Sequence, residues 1–349
     1  MYYDNQNPFA KDSYRNLMVK EARGTFSRVH LGLLIYIVSA YAISIVADVL
    51  LLIFLGDSYE SIMGNIYFQW FMGVVPMYAV GLPLLWLTVR NMPTKRLEKS
   101  KLSAGEFLII FAIAQTLMSV GNSIGNTLNG FFGALRGDEI TNTTSQLIEN
   151  SPIWLTLVVA VIIGPVIEEF IFRKLMVDRL ARYGSLVTVL VSGISFGLFH
   201  GNLYQFFYAA LLGMLLAFVT LKTGNWLYSV ALHIIINFFG SIVVMPFIDM
   251  AEELTAGMEA LEAGSTVDGK SLIMAAIGVL SYSIVQYALV IAGAVLIILA
   301  VKNKWYKLKE SAEVNIPSDD VAISVVFNLG TLLFLAVSLI LFAVSVLLG

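Results

Sequence analysis

Two adjacent glutamates, Glu168 and Glu169, stand with Arg173, His200, His233 and Asn237 in stretches that are otherwise apolar. A carboxylate beside an imidazole can hold and deprotonate a water, while a second imidazole with a carboxamide can donate hydrogen bonds to a developing oxyanion. Those are the requirements for hydrolysing an amide by direct attack of water. The same side chains admit a metal reading, in which Glu168, His200 and His233 hold zinc or another divalent ion with water in the fourth position. No helix carries a His-Glu-x-x-His pattern, and the residue types leave both readings open. The chain has no cysteine, so thiolate ligands, a cysteine nucleophile and disulfides are excluded.

Spacing divides the charges between two jobs. Glu169 and Arg173 lie four apart with the acid N-terminal, the order that favours an intrahelical ion pair. Glu168 is turned about 100° away and has no basic residue three or four positions along, so it aims at something else. Of the three histidines, His30 falls in a basic tail and reads as a surface residue, whereas His200 ends a short apolar run and His233 lies one turn before Asn237. If the chain turns near Gly184, Glu168 and His200 are each sixteen residues from the turn, and an antiparallel hairpin sets them at one level, about 24 Å from its tip.

The elements that position these groups must be membrane helices. The 349 residues are 58% hydrophobic and 13% charged, outside the range of soluble domains, and an ionisable group in hydrocarbon needs a partner or water. Runs near the roughly 20 residues that span a bilayer occur at 33–55, 67–88, 107–130, 153–172, 186–199, 203–221, 226–247, 272–301 and 321–348, the fifth of them short. The fold class is therefore all-α, a polytopic transmembrane bundle of about eight to nine spans. The first run follows a polar tail and lacks a cleavage pattern, so it reads as a retained span. Within the fourth run, Ser151 is positioned to cap, Pro152 suits the first turn, and Pro165 predicts a kink that strips the Val161 carbonyl of its donor. Such irregular backbone at membrane depth faces protein or a wet cavity, where the glutamates are expected.

Lysine and arginine collect in alternate connections: Lys11 to Arg28, Arg90 to Lys101, Lys222, and Lys302, Lys304, Lys307 and Lys309. By the positive-inside rule these face the cytoplasm, the N-terminus with them, and the acidic connection from Asp249 to Lys270 and the C-terminus face outward. The chain reads as three units: 1–102, a basic tail and two accessory spans; 103–247, the core, opened by a capping box of Ser103 and Glu106; and 248–349, the acidic loop and two further spans. In the third run, Gly121, Gly125, Asn122, Asn126 and Asn129 recur at helical spacing, which favours close helix packing with amide bonds across an interface over a pore lining. Asp48 is a lone carboxylate late in the first run.

"EEFIFR" resembles a Glu-Glu-x-x-x-Arg motif, "FGLFH" a Phe-x-x-x-His motif and "HIIIN" a His-x-x-x-Asn motif, in the order and spacing of the CPBP family, the CAAX-prenyl-protease type II and bacteriocin-processing intramembrane proteases also called Abi. The resemblance covers about 152–240. It implies that Glu168 and His200 activate water, that His233 and Asn237 stabilise the oxyanion, and that Glu169, Arg173 and Phe196 support them; both metal-dependent and metal-free mechanisms go with this type of site. The implied activity is an intramembrane endopeptidase acting on a hydrophobic or lipidated peptide, in contact with membrane lipid and without nucleic acid, in bacteriocin processing, self-immunity or CAAX-type cleavage. Two readings of other classes compete: a non-catalytic immunity factor that binds a peptide without cutting it, and a proton-coupled transporter, which would call for repeat symmetry and paired half-helices that the sequence does not show.

Overall fold

A computed structural model describes residues 8–308 and 312–348, with side chains from Asp12 onward; Lys309 and the Lys11 side chain lie outside the described residues. The chain is all-α, and eight helices are long and apolar enough to cross a membrane. They are α1 (Pro8–Leu55), α2 (Ile66–Val89), α3 (Ala104–Arg136) and, after a short α4 (Thr143–Glu149), α5 (Ile153–Tyr183). A shorter apolar helix, α6 (Ser185–Phe199), precedes α7 (Leu203–Thr223), α8 (Leu227–Glu262), α9 (Gly269–Lys302) and α10 (Leu329–Leu348). The protein is a multi-pass membrane protein, and the short run at 186–199 is α6.

Several boundaries depart from the hydropathy reading. The polar tail is helical from Pro8 onward because its inward face has partners. His30, expected at the surface, is buried against Phe334 of α10 and shares hydrogen bonds with Ser195 of α6 and Thr331 of α10. Thr25 and Tyr183 meet hydroxyl to hydroxyl at 2.8 Å. The acidic stretch read as a loop is largely helical, Met245–Glu262, since its Glu, Ala, Leu and Met residues favour helix.

The anticipated capping box forms: Ser103 Oγ accepts from the Glu106 amide at 3.2 Å and the Glu106 carboxylate accepts from the Ser103 amide at 3.0 Å. Ser151, by contrast, caps nothing. Its hydroxyl donates back to the Leu147 carbonyl and accepts from Trp70 Nε1, and Pro152 sits just before the first helical residue of α5 rather than within its first turn.

α5, α6 and α7 form the centre. Gly184, at φ +103°, makes the anticipated turn between α5 and α6, a conformation that glycine alone adopts freely. α6 and α7 pack closely because Gly193 and Gly197 have no side chain: a Cβ on Gly197 would lie 2.5 Å from the Phe206 carbonyl oxygen. α3 crosses α7 where Gly121 and Gly125 approach the backbone at Tyr208 and Leu203. The amides contribute little across that crossing, as Asn129 donates to Gly125 of its own helix at 2.9 Å and Asn122 and Asn126 are exposed. α1, α2 and α10 close one side of the central hairpin, and α9 lies on α3.

Candidate active site

Proline and register set the geometry of α5. Over Leu157–Ile163 the helix widens into π turns, with the Gly164 amide donating to Val159, five residues back. Continued one step, that register pairs residue 165 with Ala160, and Pro165 has no proton to give. The carbonyl that loses its donor is therefore Ala160 and not Val161. Asn237 of α8 replaces the missing donor, its Nδ2 donating to the Ala160 oxygen at 3.0 Å. A second π stretch, Phe170–Val177, follows, so Glu168 and Glu169 occupy a short α-helical piece, Gly164–Glu169, between two widened turns, an arrangement frequent at functional sites.

Glu169 and Arg173 face each other as the anticipated ion pair at 3.0 Å, both side chains fully buried, though not aligned as a hydrogen bond. Arg173 Nη1 donates to Ser192 Oγ of α6 at 2.9 Å, and its guanidinium lies over the rings of Phe196 and Phe172. The other carboxylate oxygen of Glu169 accepts from His233 Nδ1 at 3.0 Å. That contact fixes the imidazole: a carboxylate only accepts, so Nδ1 carries the proton and Nε2 is turned outward. Glu168 meets it there, its carboxylate 3.7 Å from His233 Nε2, with a quarter of its side chain exposed.

His200 caps the end of α6, where its Nδ1 donates to the Phe196 carbonyl at 2.8 Å. In the neutral ring Nε2 is then the acceptor, without a partner among the described residues. Phe196 stands edge-on to both imidazoles, with ring centroids 4.9 Å from His200 and 5.7 Å from His233. One aromatic ring thus spaces two bases and supports the guanidinium beneath them.

The structure brings Glu168, Glu169, Arg173, Phe196 and His233 together, with His200 against Phe196 and Asn237 one turn along α8. Glu168 meets His233 rather than His200. Among the described residues, no three His, Cys, Asp or Glu side chains cluster closely enough to hold a metal ion, so the triad of Glu168, His200 and His233 does not fit a three-ligand site as arranged. Asp48 joins none of these contacts and one of its oxygens is buried without a described partner. Two contacts were not anticipated from sequence. Ser192 continues the face of Phe196 and His200 at four-residue intervals, a signal that was there to read; the Glu169–His233 bond joins residues 64 apart, and no local spacing announces it.

Residues 150–239 match the family model of the Rce1-like type II CAAX prenyl endopeptidases, a segment that contains every one of these motif residues. Over 187 residues, 52% of this chain and 76% of the relative, the sequence is 25% identical to the Bacillus subtilis (strain 168) protein named "Putative membrane peptidase YdiL". No solved structure matches the chain. The motif residues of the site thus lie in a segment similar to the type II CAAX prenyl endopeptidases, a likeness that supports a membrane protease at family level.

Proposed function

We propose that the protein is an intramembrane endopeptidase that cleaves a hydrophobic or lipidated peptide with a water activated by Glu168. The observation that carries this reading is the asymmetry of the paired glutamates: Glu169 is buried between Arg173 and His233, whereas Glu168 is accessible and its only described ionic contact is the outward nitrogen of that histidine. Glu168 takes a proton as the water oxygen attacks the scissile carbonyl, and His200 Nε2 accepts the water's second hydrogen bond. His233 Nε2, when it carries a proton, and the second N–H of Asn237 donate to the tetrahedral oxyanion. The C–N bond then breaks as Glu168 passes its proton to the departing amine. The positive-inside rule favours a cytoplasmic N-terminus, and this reading has the substrate enter from the membrane or its cytoplasmic edge.

The test is cleavage of hydrophobic peptides by the purified protein in liposomes, read by mass spectrometry with metal content measured alongside. Glu168→Ala and His200→Ala are expected to abolish cleavage while retaining the wild-type unfolding temperature. Wild-type rates in Glu168→Ala would sink the mechanism, and peptide binding without any cleavage would favour an immunity factor.

A further inference from the structure

The proposed donors are encumbered. His233 keeps its fixed proton on Glu169, and Asn237 supports the backbone at Ala160. A third donor stands on α2, outside the segment that matches the family. α2 is fastened to the start of α5 by the Trp70 indole, which donates to Ser151 Oγ at 2.8 Å, and by stacking of Tyr67 on Trp154. The two helices run in the same direction from there, and α2 has a π stretch of its own, Pro76–Gly81, in which Tyr78 lies. Tyr78 Oη hangs over Gly164: a Cβ on that glycine would be 3.7 Å from it. Gly164 and Glu168 are four apart on the helix, hence on one face, and the missing side chain at 164 leaves space between phenol and carboxylate. Among the described residues the Tyr78 hydroxyl has no hydrogen-bond partner, and its oxygen is not fully buried. Glu168 lies within electrostatic range of Tyr78 and of Tyr36 beside it.

The phenol therefore keeps its donor available to a group that enters beside Gly164. We infer that Tyr78 is a catalytic residue, the hydrogen-bond donor that accessory helix α2 supplies to the scissile carbonyl as it becomes an oxyanion. The inference rests on the peptidase reading above. It gives α2 a chemical role, since the matched core alone leaves Gly164 open where the phenol stands. Phenol is suited to the place because it donates without a change of charge state and without releasing the Asn237–Ala160 bond.

The experiment compares wild type, Tyr78→Phe and Glu168→Ala, each as the full chain in liposomes, on the best-cut member of a hydrophobic peptide mixture. Tyr78→Phe is expected to lower kcat by about 100- to 1,000-fold and to leave KM and the unfolding temperature near wild type. Binding is measured in parallel with a hydrophobic peptide aldehyde and its alcohol; the aldehyde adds the activated water to become a tetrahedral hydrate, so Tyr78→Phe should reduce the affinity ratio, a quantity independent of the folded fraction. An unchanged kcat and ratio, or a change in KM alone, overturns the role of Tyr78 while the peptidase reading stands. Absence of cleavage and of aldehyde preference in wild type overturns both.

Discussion

Arg173 is fully buried in a membrane helix with one carboxylate, one hydroxyl and two aromatic faces as its described surroundings. Glu169 neutralises it and also orients His233, so this carboxylate links charge balance to chemistry. Glu169→Ala should therefore lower stability by about 3–5 kcal/mol, because the orphaned guanidinium stays buried, and should free the imidazole to rotate. Thermal unfolding checks it: a midpoint equal to wild type would refute the structural role. The ion pair was legible from the four-residue spacing of Glu169 and Arg173. The histidine on the opposite oxygen was not, because helical periodicity carries no information about which distant helix turns a side chain inward.

At the scale of the element, α5 derives its function from a missing proton. Pro165 announces a carbonyl without a donor, but the apolar run Leu157–Ile163 says nothing about π register, which moves the vacancy by one residue to Ala160. Asn237 then binds α8 to α5 as well as standing near the site. Asn237→Ala should lower stability by about 1–3 kcal/mol, the cost of leaving a half-buried acceptor unpaired. Pro165→Ala restores an amide proton at the right place, so the double variant should recover part of that loss, with a coupling of about 0.5–3 kcal/mol in a thermal-unfolding cycle. Strict additivity would show that Asn237 does not act through the Ala160 carbonyl.

Across the whole molecule, hydropathy located the membrane-crossing helices and the glycine turn at Gly184, because apolar length and backbone freedom are local properties. It misplaced the polar start of α1, where Thr25 and His30 are buried by Tyr183, Ser195 and Thr331 from the far side of the chain. It also misread the helical acidic stretch after Met245 as a loop. The motif residues were all legible; Tyr78 was not, because its helix carries no motif and its closeness to Gly164 exists only after folding.

The shortness of α6 has a consequence for the lipid around it. Fifteen residues rise about 22 Å, against a hydrocarbon core of roughly 30 Å, and His200 sits at the C-terminal end of the helix. A helix that short suits a thin bilayer, and on the proposed peptidase reading a thinner hydrocarbon core brings solvent closer to His200. The proposed cleavage should then respond to bilayer thickness: it is expected to be faster in liposomes of 14-carbon acyl chains than of 22-carbon chains, since hydrophobic mismatch costs fractions of a kcal/mol per Å. Equal rates in the two would mean that the protein itself absorbs the mismatch. On the proposed reading, the thickness of the membrane becomes a variable of the reaction.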